Sequence, residues 1–125
     1  MIIEALKGKI HRATVTEADL NYIGSLTLDE DLMVAAGLIE FEKIQVLDIT
    51  NGNRLDTYVI KGKRGSGEVC INGAAAHLVN KGDLVIIVAY CQLNENESLH
   101  HKPKIVYVDG ENKIISKPIK EKIYL

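Results

Sequence analysis

The segment "KIQVLDITNGNRLDTYVI", residues 43 to 60, constrains the fold more than any other. Two runs rich in β-branched and aromatic residues flank Asn51-Gly52, a pair suited to a turn with positive φ. A β-hairpin is expected there. The same punctuation recurs along the chain. "MIIEALKGKIHRATVTEADL" reads as one or two strands, with Gly8 as a bend or bulge. "EVCI" reads as a strand after the polar, glycine-broken turn "KGKRGSG", and "KIVYVDGENKII" as a second hairpin around Asp109-Gly110. "LVIIVAY" is a near-continuous apolar strand, expected to be buried on both faces.

Helical signals are few. In "TLDEDLMVAAGLIE" a short helix is expected from about Asp29, which can cap it. Acidic residues fill its first turn, and Gly37 stands where a C′ glycine belongs. "NGAAAHLV" holds one short helical turn at most. "LNENESLHHKP" reads as a polar loop and "SKPIKEKIYL" as a charged tail. Many short strands with one or two small helices predict a mainly β chain closed into a compact barrel. Closure would remove the edges that such apolar strands leave open. With 125 residues, no repeat and no linker, residues 1–125 are read as a single domain.

Composition excludes several roles. The chain has no tryptophan and one phenylalanine, Phe41, so its core must be mostly Ile, Val, Leu and Ala. A net charge of -2 and a pI near 6.1 argue against a dedicated nucleic-acid binder, and "KGKR" at 61–64 is too short for a basic stripe. Cys70 and Cys91 lack CxxC spacing and imply no oxidising compartment. "MIIEALKGKIH" carries Glu4 and no cleavage site of the signal-peptide kind. "LVIIVAYCQL" is about half the roughly 20 residues that a membrane span needs. A cytoplasmic protein is expected, with neither membrane nor nucleic acid as partner.

Most catalytic signatures are missing: no G-x-x-x-x-G-K-[ST], no G-x-S-x-G and no H-E-x-x-H. His11, His77 and the pair His100-His101 make no ligand set at workable spacing, so no metal is expected. Four segments do place polar groups among small or apolar neighbours. "YIGS" sets Gly24-Ser25 between apolar residues. "GKIH" projects Lys9 and His11 to one side of a strand. "NRLDTYVI" gives Arg54 and Tyr58 one parity and Thr57 the other. In "INGAAAH", Asn72-Gly73 opens a run whose small side chains leave backbone N–H groups approachable. Each alone has a bland reading as an exposed cation, a rim tyrosine or a tight turn.

Taken in order, "GKIHRATVT", "YIGS", "TNGNR…TY" and "NGAAAH" resemble the pyruvoyl-dependent aspartate 1-decarboxylase family over about residues 1 to 110. The resemblance implies a six-stranded double-ψ β-barrel with short helices, assembled as a homotetramer with sites between subunits. It implies self-cleavage at Gly24-Ser25 into a β chain, residues 1–24, and an α chain, residues 25–125. Ser25 would become a covalent pyruvoyl group, the only cofactor, with neither metal nor PLP. That group would condense with the amine of L-aspartate as a Schiff base and yield β-alanine and CO2, which feeds pantothenate and coenzyme A synthesis. By the same resemblance Tyr58 is the proton donor, and Thr57 assists cleavage and touches substrate. Lys9, His11, Arg54, Asn72, Gly73, Ala74 and Ala75 line the substrate site. No maturation helper can be named from the sequence.

Glycine suits position 24 because it lets the backbone bring the Ser25 hydroxyl over the preceding carbonyl. A competitor, Gly65-Ser66, lies in a polar turn between two glycines, too loose to hold strain. Two rival readings are kept: a non-catalytic barrel used for binding or assembly, and a self-cleaving barrel that decarboxylates another amino acid. Cleavage at Gly24-Ser25 separates the first from the enzyme.

Overall fold

The computed structural model describes residues 1–22 and 24–116. In chain order β1 (Ile2–Thr14), β2 (Glu17–Asp19) and β3 (Ser25–Asp29) precede α1 (Glu30–Ala36). Then come β4 (Lys43–Asp48), β5 (Arg54–Gly62), β6 (Val69–Asn72) and a short 3-10 helix (Gly73–His77). β7 (Leu84–Asn94), α2 (Glu95–Ser98), β8 (Lys104–Val108) and β9 (Ile114–Ile115) follow. Hydrogen-bonded neighbours run β2-β6-β3-β5-β4-β7-β1-β8-β9. The fold is mainly β, as expected, and consistent with a barrel. Residues 117–125 of the charged tail, and Ile23, lie outside the described residues.

The expected hairpin forms. β4 and β5 pair antiparallel from Lys43↔Tyr58 to Leu47↔Arg54. The Asp48 carboxylate braces the turn by accepting the N–H groups of Thr50 and Asn51 at 2.8 and 3.1 Å. The second hairpin is β8 with β9, around Asp109–Lys113. In β1 the register slips between Leu6 and Gly8, as a bulge there requires, and again between Ile10 and Ala13.

Three expectations need amending. The helix starts at Glu30 with Asp29 as its cap, but the five residues before it form a strand. β3 lies parallel to β5 on one edge and antiparallel to β6 on the other. Pairing on both edges overrides the weak local signal of "SLTLD", and Leu26 and Leu28 are completely buried in the core. β7 is buried on one face more than both: Val85, Ile87 and Ala89 are fully enclosed, whereas Tyr90 is 44 % exposed. The polar loop contains a helical turn, α2, held by an Asn94–Glu97 capping box.

One cluster of Ile, Val, Leu and Ala forms the core, with Ile10, Leu26, Ile44, Val59, Ile71 and Ile87 at its centre. α1 closes one side with Leu32, Met33 and Ala36. Gly37 ends it in the left-handed region at φ +73, where its N–H reaches Met33 and Val34 carbonyls. The buried Asp29 carboxylate accepts Asp31 N–H and also Gly65 and Gly67 N–H across the loop, all at 2.8–2.9 Å. Burial alone would raise its pKa; the N–H groups of Gly67, Gly65 and Asp31 together hold it below the usual value.

Candidate active site

β3 sits between β6 and β5, and that position assembles the site. In the antiparallel β3–β6 ladder Ser25 pairs with Asn72, Leu26 with Ile71 and Thr27 with Cys70. Alternation sends Leu26 and Ile71 into the core and leaves Ser25, Asn72, Thr27 and Cys70 together on the other face. Ser25 is nonetheless only 1 % exposed and Asn72 only 2 %. A buried hydroxyl beside a buried carboxamide must be hydrogen-bonded. The Asn72 Nδ2 donates to Ser25 Oγ at 3.3 Å and to Thr27 Oγ1 at 2.9 Å. The Cys70 thiol donates to Asn72 Oδ1 at 3.2 Å.

Gly73 brings the next residue against the same bond. Its φ is +69, and a Cβ built there would stand 2.6 Å from Gly24 Cα and 2.9 Å from Gly24 N. No other residue fits, because a side chain would be strained and would displace the Gly24 backbone. Ala74 and Ala75 follow in the 3-10 helix, exposed and half-buried, with no bulk to close the approach. Ser25, Asn72 and Gly73 are therefore brought together.

Thr57 and Tyr58 lie across the other edge of β3. The parallel β3–β5 ladder begins at Leu26↔Val59, so Ser25 and Tyr58 both stand one residue before it. Thr57 pairs with Ile44 of the core and Tyr58 with the exposed Lys43, which gives them opposite faces, as their parity predicted. Both are half-buried.

The cations stand on β1 and at the start of β5. Arg54 begins β5, exposed, four residues from Tyr58 or about 13 Å at the usual strand rise. Lys9 is reached from β5 through the row Asp56↔Gln45↔Val88↔Lys9. Arg54 and Lys9 thus share the outward face of one sheet wall. His11, also on β1, pairs with Tyr107 and meets its ring edge-on, centroids 5.9 Å apart. Among the described residues no ladder pair joins Lys9, His11 or Arg54 to Ser25, and β1 stands four strands from β3. No group of three His, Cys, Asp or Glu among the described residues could hold a metal. No described helix is long and apolar enough to cross a membrane.

Sequence reasoning missed Cys70 and Thr27. The signal was available: Cys70 shares strand parity with Asn72, and Thr27 with Ser25. It was unreadable without knowing that β3 exists and which strand it meets.

A buried serine following an exposed, closely packed glycine, with a carboxamide on its oxygen, marks the candidate site of this small β protein. A sequence model of the family described as aspartate decarboxylase matches residues 1–115. The aspartate 1-decarboxylase of Caldicellulosiruptor bescii is 63% identical over 121 residues, covering 97% of this chain and 94% of the relative. That of Acetivibrio thermocellus is 58% identical over 122 residues, covering 98% and 97%. That of Neisseria meningitidis is 63% identical over 109 residues, covering 87% and 86%. The chain belongs to the aspartate decarboxylase family. It is accordingly a decarboxylase, a lyase that removes a carboxylate as CO2.

Proposed function

We propose that this decarboxylase converts L-aspartate to β-alanine and CO2, and that it first makes its own pyruvoyl group by cutting between Gly24 and Ser25. The observation that supports this most is the enclosure of Ser25 Oγ beneath the Asn72 carboxamide, with Gly73 pressed on Gly24. The residues present fit such a group: the Ser25 side chain is buried and the backbone packing admits no Cβ at Gly73.

The cleavage balances on the chain's own atoms. Ser25 Oγ attacks the Gly24 carbonyl carbon, the peptide C–N bond breaks and an ester forms, with the hydroxyl proton passing to nitrogen. Loss of the Ser25 Cα proton and rupture of the Cβ–O bond free the Gly24 carboxylate. The residual enamine takes up water and releases ammonia, leaving a ketone at the new N-terminus. A packed site favours this chemistry, because hydrogen-bond donors to a developing oxyanion count for more there than in water.

The pyruvoyl ketone supplies an electron sink for loss of CO2. The chain's other residues then have separable tasks. Arg54 would hold the side-chain carboxylate of aspartate through its planar fork, with Lys9 and His11 as auxiliaries. Tyr58 would deliver a proton to the carbon that loses CO2. Thr57 would assist cleavage and touch substrate, and Asn72 with Gly73–Ala75 would line the site.

The scatter of cations over β1 and β5 supports a homotetramer in which neighbouring subunits complete each site, because one chain's ladders leave them apart from Ser25. We read the sheet as a six-stranded double-ψ barrel: β2 follows β1 after two residues and pairs with β6, and Thr16 donates to Val69 O at 2.8 Å. A cytoplasmic enzyme serving pantothenate synthesis completes this reading.

Intact mass of the purified, incubated protein tests it. Two chains split at Gly24/Ser25 are expected, the heavier reactive toward a hydrazine and lighter than its hydrolytic equivalent by one ammonia. A chain that stays whole even on heating would refute self-processing.

A further inference from the structure

Asn72 can hold Ser25 in this way only if the nitrogen end of its carboxamide faces the serine. A carboxamide presents a donor at one end and an acceptor at the other, and the two ends have nearly the same shape. Ser25 cannot fix that choice alone, since a hydroxyl both donates and accepts; the same is true of Thr27. The remaining neighbour is Cys70, directly opposite Thr27 in the ladder, whose S–H donates to Asn72 Oδ1. We propose that Cys70 is a positioning residue for self-cleavage: its thiol hydrogen holds the Asn72 carboxamide with Nδ2 toward Ser25 Oγ. This rests on the cleavage proposed above.

The assignment depends on the thiol keeping its proton, because a thiolate would accept from Nδ2 and reverse the carboxamide. The surroundings favour the protonated form. Burial, then Glu68, Glu17 and Asp19, push the Cys70 pKa above its ordinary value. These carboxylates reach it from β2 and from the residue preceding β6. Lys61, at the end of β5, and Tyr22 line the same cleft of about 340 Å³ with Asp19, Glu68 and Cys70. The sulfur itself has no part in bond making. A weak donor suffices where the alternative is a buried oxygen without one.

The test is the rate of Gly24/Ser25 cleavage in the purified uncleaved precursor, followed by intact mass and normalised to folded protein. Cys70→Ala, without a donor, should cleave about two- to tenfold more slowly than the parent at neutral pH, the size of one neutral hydrogen bond. Cys70→Ser keeps a donor and should match or exceed the parent. At strongly alkaline pH the parent's rate should fall relative to Cys70→Ser, whose hydroxyl does not ionise. Thermal melts of both variants remove any general loss of stability from the comparison. Equal rates for Cys70→Ala and the parent would overturn the inference, as would Cys70→Ser being as slow as Cys70→Ala. A parent that does not cut at this bond would overturn both this inference and the function it rests on.

Discussion

The chain contains two Gly-Ser bonds, and the fold treats them in opposite ways. Ser66 is exposed in a turn; its Oγ donates to Lys63 O at 2.6 Å and accepts from Glu68 N–H at 3.2 Å. A Cβ at Gly65 would meet only the tip of Asp31, at 3.9 Å. Ser25 is buried, its oxygen accepts from a buried carboxamide, and Gly73 is packed on the glycine before it. The dipeptide is the same; what differs is enclosure. Acyl transfer within a backbone needs a hydroxyl held near its own carbonyl and shielded from water. A solvated turn hydrogen bond gives neither.

The largest expected effect follows directly. Ser25→Ala lacks the attacking oxygen and should remain one chain with no decarboxylase activity, whereas Ser66→Ala should cleave and turn over as the parent does. Mass spectrometry of both variants reads this contrast. A cleavage product starting at residue 66, in any variant, would break the comparison.

Tyr58 and Thr57 sharpen it, because they lie on opposite faces of β5, the strand next to Ser25's own. Tyr58→Phe keeps the ring and should cleave normally, yet release product about 10²- to 10⁴-fold more slowly per pyruvoyl group, the usual worth of a general acid. Thr57→Val, nearly isosteric, should instead accumulate uncleaved precursor. Cleavage extent and turnover per pyruvoyl group on the two variants are the deciding pair. Normal turnover in Tyr58→Phe would remove the phenol from the chemistry.

Arg54 carries the next effect. It is exposed and far along β5 from Ser25, so Arg54→Ala should be processed like the parent. Loss of a charged hydrogen-bonded pair is typically worth about 1.5–3 kcal/mol, so kcat/KM for aspartate should drop about 10- to 100-fold, mostly through KM. Arg54→Lys should recover only part, since an ammonium lacks the planar fork. Steady-state kinetics at full processing checks it; unchanged kinetics would move the carboxylate anchor elsewhere.

How much of this was legible depended on range in sequence. The Asn51-Gly52 hairpin, the bulge near Gly8 and both ends of α1 are local, and local chemistry announced them. The α2 capping box, Asn94 with Glu97, was equally local and was passed over among polar neighbours. β3 could not be read, because its alternation spans only the five residues "SLTLD" and its existence rests on partners 33 and 47 positions away, as in Leu26↔Val59 and Ser25↔Asn72. The site residues were recognisable by motif order, but their meeting was not. Asn72 reaches Ser25 only through the β3–β6 register, and Cys70 and Thr27 join for the same reason.

The smallest expected effect lies under the control bond. Asp29 anchors the loop of Gly65-Ser66 by accepting Gly65 and Gly67 N–H while capping α1. Asp29→Asn keeps an acceptor for the cap, since asparagine is as good an N-cap as aspartate. Its amide nitrogen, however, would face the buried Gly67 N–H, donor against donor. Leaving that group unsatisfied should cost about 1–3 kcal/mol and loosen the loop, seen as a lower Tm and faster amide exchange at Gly67. The sign of the pH dependence follows from the depressed folded-state pKa. In the parent, the Asp29 contribution is present above the unfolded carboxylate value of 3.8 and is lost as pH falls through the lower folded value. Asp29→Asn cannot titrate, so its deficit should be full at neutral pH and shrink in acid. Cleavage at Gly24-Ser25 should be unchanged per folded molecule, and the loosened Gly65-Ser66 should still not cut. If mobility alone let that bond react, enclosure would not be what distinguishes the two serines.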